Sequence, residues 1–395
     1  MREDARHQAA IDILDAWLAG APVEKALTGW ARRSRFAGSR DRAAVRDIVF
    51  DAVRKRRSAA ARGGGDTGRG LVLGLLVEKG AEPDRIFTGA PHAPAPLTRA
   101  ERARLAAPPD LPPPVALDVP DWLAPRLAAS LGDDFAPVMR LMRERAPVFL
   151  RVNTLKANRE EALAALAGEG IVARPHPLAA TALEVTEGAR RIRRAAAFRD
   201  GLVELQDAAS QAVVDALPLV PGMRVLDHCA GGGGKALAMA ARMGGKGTIL
   251  AHDANAGRMK DLPARAARAG ARIERTARPE GLFDLVLADA PCSGSGAWRR
   301  SPEGKWRLTP ERLEALRRLQ DRILDEAAPF VAPGGHLAHV TCSLLEEENR
   351  QRAESFLARH REFAPEANRR WTPLEGGDGF GLALFRRKAD RGGGR

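Results

Sequence analysis

Apolar positions along the first 60 residues recur at helical spacing. Ala9, Ile11, Ile13, Leu14, Trp17 and Leu18 predict one amphipathic helix, and Val45, Ile48, Val49, Ala52 and Val53 predict another. Glycines 63 to 65 break the chain, and a third helix is predicted over 70–79. The prolines between 90 and 120, among them Pro108, Pro109 and Pro112 to Pro114, predict a linker without regular elements over 91–120. A small α/β module follows over 121–203. It has a helical stretch at 122–143, a strand at 148–152, a helix at 158–168 and short apolar pieces at 171–173 and 183–185. From 204 to 388 strands and helices alternate. Strands are expected at 224–229, 248–252, 273–276, 285–288 and 336–340, and helices at 235–243, 258–269, 310–331 and 346–361. Thr309 followed by Pro310 is a hydroxyl cap with proline in the first turn. Such alternation predicts a doubly wound, mostly parallel sheet, with ligands at the carboxyl ends of its strands. Residues 389–395 read as a flexible tail.

Composition narrows the partners. The chain has 395 residues, suited to two or three domains, and 45% of them are hydrophobic. Its net charge is +13, carried mostly by arginine, which favours a polyanion such as nucleic acid. The arginine run Arg190, Arg191, Arg193 and Arg194 is a candidate phosphate contact, or equally a solvated face. No apolar run is long enough to span a membrane, and the first residues do not form a secretory signal. Three cysteines in this length argue for a reducing cytoplasm and against a disulfide framework. Cys229, Cys292 and Cys342 lack the paired spacing of a zinc site, so no metal is expected.

The segment from Val225 through Cys229, Ala230, Gly231, Gly232, Gly233 and Gly234 to Lys235 follows a predicted strand and opens a predicted helix. Glycines let a backbone turn sharply and approach a ligand closely, and a helix start offers free N–H groups. Asp253 ends the next strand, 22 residues after Gly231, where a carboxylate suits ribose hydroxyls. The spacing is not G-x-G-x-x-G, and Lys235 is followed by Ala236 rather than Ser or Thr. A nucleoside cofactor without a pyrophosphate fits better than a dinucleotide or a nucleoside triphosphate.

Cys292 and Cys342 each follow a predicted strand, on the face where the glycine loop lies. A buried free cysteine is usually an inert small apolar residue. Two of them at two strand ends beside such a loop suggest chemistry. Asp-Ala-Pro-Cys-Ser at 289–293, and Thr-Cys-Ser at 341–343 with Glu347, Glu348 and Asn349 after it, resemble the two cysteine motifs of the RNA 5-methylcytosine methyltransferases. That family includes a bacterial small-subunit ribosomal RNA enzyme and the eukaryotic Nop2/Sun group. The stretches 151–156, 206–210 and Asp378-Gly379-Phe380 are similar to further motifs of the family, in the same order. The resemblance covers about residues 145–388. The region around 38–53 is weakly similar to the NusB-like helical domain of the bacterial ribosomal enzyme.

The resemblance implies a Rossmann-like class I methyltransferase domain, a small α/β RNA-binding module and an N-terminal helical, NusB-like domain over 1–90. It implies S-adenosyl-L-methionine as cofactor, held by residues 229–235, Asp253 and Asp289. It implies RNA as substrate, 16S ribosomal RNA first, and a cytoplasmic enzyme that is expected to be a monomer. Cys342 would be the nucleophile and Cys292 would assist product release. DNA cytosine methyltransferases use the Pro-Cys cysteine, so Cys292 is the rival nucleophile. Transfer RNA is an alternative substrate, and a non-catalytic assembly factor an alternative of another class. Two departures bear on the cofactor: Gly231-Gly232 stand where the family has Ala-Pro, and Thr276 stands where it often has an adenine-contacting acid.

Overall fold

The computed structural model describes residues 1–389, so the expected tail lies, but for residue 389, outside the described residues. The described chain divides into two compact units, Met1–Arg145 with Trp298–Arg307, and Ala146–Ala297 with Leu308 onward. The first is helical. Its elements are α1 (Glu3–Leu18), α2 (Val23–Arg33), α3 (Ser39–Arg54), α4 (Arg56–Gly63), α5 (Gly68–Glu78), α6 (Arg99–Ala106), α7 (Pro113–Ala116), α8 (Ala124–Leu131) and α9 (Phe135–Met142). Helix α5 has its run Leu71–Leu76 buried, as a helix apolar all round should. Thr67 caps it by accepting from the Gly70 N–H.

Two expectations are corrected here. The proline-rich stretch does hold a regular element. Thr98 and Glu101 form a reciprocal capping box that starts α6, and the prolines flank that helix rather than interrupt it. The stretch 122–143 is two helices, because Gly132 turns at φ +58 between α8 and α9. That stretch groups with the N-terminal helices. Asp118, fully buried, accepts from the Ser58 N–H at 2.9 Å and from Arg143 Nε at 2.8 Å, joining α4 to the residue after α9.

The second unit contains two sheets. In the small one, β1 (Val148–Val152), β2 (Val172–Pro175), β3 (Ala182–Glu187) and β4 (Val203–Leu205) pair antiparallel in the order β2-β3-β1-β4. Helix α10 (Arg159–Gly168) buries Ala162 and Leu166 in its core, and α11 (Ala196–Arg199) buries Ala197 and Phe198 there. Between β3 and α11 lies the arginine run, on a short 3-10 turn. Ile192 is buried, while Arg190, Arg191, Arg193 and Arg194 face outward.

The larger sheet begins after α12 (Ala208–Asp215). It is built from β5 (Arg224–Asp227), α13 (Gly234–Arg242), β6 (Thr248–Ala251), α14 (Leu262–Ala269), β7 (Glu274–Arg275) and β8 (Phe283–Asp289). After α15 (Glu303–Arg307), which packs in the first unit, come α16 (Pro310–Ala327), β9 (Val331–Thr341), α17 (Arg350–Arg359), β10 (Phe363–Trp371) and β11 (Phe380–Arg387). The strand order is β10-β11-β9-β8-β5-β6-β7. Strands β5 to β9 are parallel to their neighbours in that group, and β10 and β11 pair antiparallel. This is the expected Rossmann-like sheet, with an antiparallel hairpin added at one edge. Val225, Leu285, Leu287 and Val340 pack on one face with Val213 and Met239, and Leu226, Val286, Ala288 and Leu337 pack on the other with Leu324 and Phe356. Burial on both faces explains why these strands read as continuous apolar runs. The strand order reverses between β5 and β8, so the crevice beyond their carboxyl ends is the place for a ligand.

Candidate active site

The glycine loop leaves β5 at that crevice. Gly231 and Gly233 have φ of +50° and +77°, a region in which an L side chain is strained. A Cβ on Gly233 would lie 2.1 Å from Leu262 Cδ1. The Gly231 N–H donates to Asp253 Oδ2 at 3.0 Å, and Arg258 pairs with the same oxygen at 3.0 Å. Asn255 N–H donates to the other oxygen at 2.9 Å. Asp253 therefore locks the loop to the end of β6. The Gly232 carbonyl accepts from Arg265. Ala230 N–H donates to the His252 carbonyl at 2.8 Å. The loop that lacks Ala-Pro is thus held by a carboxylate and two arginines.

Inside the crevice, Lys235 Nζ donates to Asp289 Oδ2 at 2.6 Å and lies 5.0 Å from the centre of the Phe380 ring. Burial works to lower the Lys235 pKa, but Asp289 outweighs it and holds the ammonium above its ordinary value. Asp227, at the end of β5, is 1% exposed, and neither carboxylate oxygen has a well-formed hydrogen bond to the protein. Burial first, then the neighbouring Asp289, push its pKa up to about 7. Cys229 is pushed up by burial and by Asp227, so its thiol stays protonated. Thr276 Oγ1 donates to the Arg278 carbonyl at 2.7 Å and accepts from the Arg278 N–H at 3.1 Å, so its hydroxyl closes its own turn.

An orphaned buried carboxylate and a cradle that a Cβ would fill are what a cationic nucleoside cofactor needs. The residues fit such a group, which Asp227, the glycine loop, Asp253 and Asp289 would hold. Asp227 was passed over in the sequence, although an acid in the last position of the strand before a glycine loop is a readable sign.

The two cysteines stand on neighbouring parallel strands. Cys342 follows β9 directly and Cys292 lies three residues past β8, with their sulfurs 3.5 Å apart. Both are partly exposed. The hydrogen bond to Cys342, together with burial, pushes the Cys292 thiol well above its ordinary value. Their loops are held by Glu348, which is fully buried. Its carboxylate accepts from Ser293 N–H at 2.8 Å, Ser293 Oγ at 2.5 Å, Ser343 Oγ at 2.6 Å and Gln320 Nε2 at 3.0 Å. Gln320 also donates to the Pro291 carbonyl at 2.9 Å, and the Cys342 carbonyl accepts from Gly296 N–H at 2.9 Å. Asn349 Nδ2 donates to the Ser343 carbonyl at 2.9 Å. Gln320 was not singled out in the sequence. It occupies the apolar stripe of α16 between Leu316 and Leu324, and a polar residue there is the signal that could have found it.

The remaining motifs converge on the same unit. Arg151 Nη1 donates to the Gly234 carbonyl at 2.9 Å and also to Gln206 Oε1. Asp207 Oδ1 accepts from the Asp378 N–H at 2.9 Å, which brings the 206–210 and 378–380 stretches together. Among the described residues no cluster of three His, Cys, Asp or Glu could hold a metal, and no helix is long and apolar enough to cross a membrane.

A Rossmann-like sheet with a glycine cradle at its reversal point and paired cysteines beside it defines a methyltransferase-type domain. Residues 214–378 match the family model described as 16S rRNA methyltransferase RsmB/F, and residues 119–190 match the ferredoxin-like domain model of RsmF/B-like methyltransferases. Through these two stretches the chain belongs to the RsmB/F methyltransferase family. It is similar to ribosomal RNA small subunit methyltransferase B of Xanthomonas campestris pv. campestris, 35% identical over 258 residues, covering 61% of this chain and 57% of that one. The Yersinia pseudotuberculosis protein of the same name is 33% identical over 252 residues, covering 62% and 58%. The matched region thus spans somewhat over half of these curated relatives. Among solved structures, a methyltransferase homolog protein from Pyrococcus horikoshii superposes with TM-score 0.61 at 25% identity, over 69% of this chain and 97% of that one.

Proposed function

We propose that this protein is an S-adenosylmethionine-dependent RNA methyltransferase that methylates carbon 5 of cytosine, with 16S ribosomal RNA as its substrate and Cys342 as nucleophile. The observation that carries the reading is the pair of sulfurs 3.5 Å apart beside the glycine cradle. Family membership and the names of the curated relatives support methylation of small-subunit ribosomal RNA.

Carbon 5 of cytosine is a weak nucleophile while the ring stays conjugated. The Cys342 thiolate adds to carbon 6, forming a C–S bond, and the electron pair of the 5,6 double bond moves onto carbon 5. Bound S-adenosylmethionine supplies the electrophilic methyl group that this carbon takes. Transfer of the carbon 5 proton to a solvent base then restores the double bond and breaks the C–S bond, returning the thiolate. Cys292, its thiol held protonated by burial and by its bond to Cys342, can hydrogen-bond the leaving sulfur. Lys235 and Asp289 form the charged wall beside the reacting centre. Glu348 holds both cysteine loops in place.

The test is transfer of a labelled methyl group to ribosomal and transfer RNA from a strain lacking the gene, with the modified position mapped by bisulfite sequencing. The reading expects one 16S cytosine to be methylated and the Cys342→Ala protein to transfer nothing. Incorporation into transfer RNA alone would move the substrate assignment. Absence of both transfer and cofactor binding would favour an assembly factor.

A further inference from the structure

Phe36 is 77% exposed, the most exposed large apolar side chain among the described residues. It lies in the short loop between α2 and α3. Its neighbours Ser34 and Ala37 are buried, so the loop is fixed while Arg35 and Phe36 are turned outward. Around it stand Arg32, Arg33, Arg35, Arg40 and Arg42, all exposed. None of their side chains forms a hydrogen bond or ion pair with another described residue. Several other arginines of the helical unit are matched. Arg46 pairs with Glu24, Arg56 with Asp66, Arg69 with Glu101 and Arg102 with Asp84.

Three surface hollows that share lining residues join these side chains, Arg40 apart, into a strip. Arg32, Arg35 and Arg42 line one surface hollow, Arg32 and Arg33 line a second with Trp30, and Trp30 lines a third with Phe36 and His92. Two carboxylates border these hollows: Asp12, in the second and third, accepts from Gln8, and Glu24, in the second, is paired with Arg46. The strip lies outside both stretches that match the family models.

We infer that this strip docks unpaired RNA, with Phe36 as a stacking platform and the free arginines as phosphate contacts. Unmatched guanidinium groups draw a polyanion, and an exposed ring among them gives an unstacked base a face to lie on. A duplex keeps its base faces covered and would meet the arginines alone. The inference deepens the RNA reading above, yet it concerns binding and not transfer.

The test is fluorescence anisotropy on the full chain without methyl donor, using a labelled single-stranded RNA of mixed sequence and a duplex of equal length. Phe36→Ala is expected to weaken single-strand binding roughly five- to hundredfold and to leave duplex binding unchanged. Phe36→Trp is expected to restore it. The triple replacement Arg32→Gln, Arg35→Gln, Arg42→Gln is expected to weaken both ligands and to flatten the single-strand salt dependence by about 2 in log–log slope. Unchanged single-strand affinity in Phe36→Ala, or an equal loss on duplex, would overturn the inference. So would displacement of the RNA by polyglutamate only in proteins that retain Phe36, which would assign the strip to an acidic polypeptide. Repeating the series in a Cys342→Ala background separates the two readings. Binding that follows Phe36 while wild type transfers no methyl group would refute the proposed function alone.

Discussion

At the scale of single residues, the crevice turns on where charge is allowed. Asp227 rises from its ordinary 3.8 to about 7, chiefly through burial. The folded protein therefore takes up a proton there that the unfolded chain gives up above pH 4. Stability from this group is full at low pH and declines as pH climbs toward 7. A cationic ligand needs the ionised form, so affinity for S-adenosylmethionine should strengthen from pH 6 to pH 8. Asp227→Asn should bind weakly at both values, and its melting temperature should vary less with pH between them than that of wild type. Calorimetry and thermal melts at the two pH values check this. Glu348 acts differently, by position. Glu348→Ala would strand Ser293, Ser343 and Gln320 in a buried site and should cost about 2–3 kcal/mol of stability. Glu348→Gln should remain folded, with kcat lowered roughly tenfold to a hundredfold and KM little changed, because the cysteine loops shift relative to the target base. Steady-state kinetics and Cys342 alkylation rates distinguish the two effects. Cys292, Cys342 and Lys235 were readable in the sequence because each stands in a short motif. Asp227 and Gln320 were not, because their importance comes from what surrounds them: one is buried without a well-formed hydrogen bond and the other reaches both Pro291 and Glu348.

At the scale of elements, the glycine loop is the part most sensitive to shape. Gly233→Ala adds an αL strain of about 1–2 kcal/mol and forces Leu262 aside. It should weaken cofactor binding while leaving RNA affinity unchanged, as measured by calorimetry and anisotropy in parallel. The parallel strands were visible as apolar runs since both of their faces are covered. Strands β10 and β11 were not predicted. Exposed positions dominate β10, with Glu366, Arg369 and Arg370 along its length, and that pattern carries little period-two signal. Helix α6 was hidden for another reason. Prolines near Ala106 dominate the local composition, whereas the capping box at Thr98 and Glu101 sets the conformation. The helix expected over 258–269 is a 3-10 turn at Ala256–Met259 and then α14, with Pro263 in the first turn of α14.

At the scale of the whole molecule, the charge of +13 should make RNA affinity fall steeply as salt rises. A titration of affinity against salt checks this, and a flat profile would mean that the arginines are spent on internal pairs. The two cysteine motifs were legible in the sequence, while the fate of individual arginines depends on folding: Arg151 is buried against the glycine loop and Arg32 faces solvent. In the proposed reaction Cys342 forms the covalent bond to cytosine and Cys292 is needed to break it. This assignment is tested most directly by mixing Cys292→Ala protein with substrate RNA and S-adenosylmethionine, then mapping any denaturation-resistant protein–RNA adduct by mass spectrometry. The expected result is an adduct at Cys342 that disappears in the Cys292→Ala, Cys342→Ala double variant. An adduct at Cys292 in the Cys342→Ala protein, with none in Cys292→Ala, would contradict it.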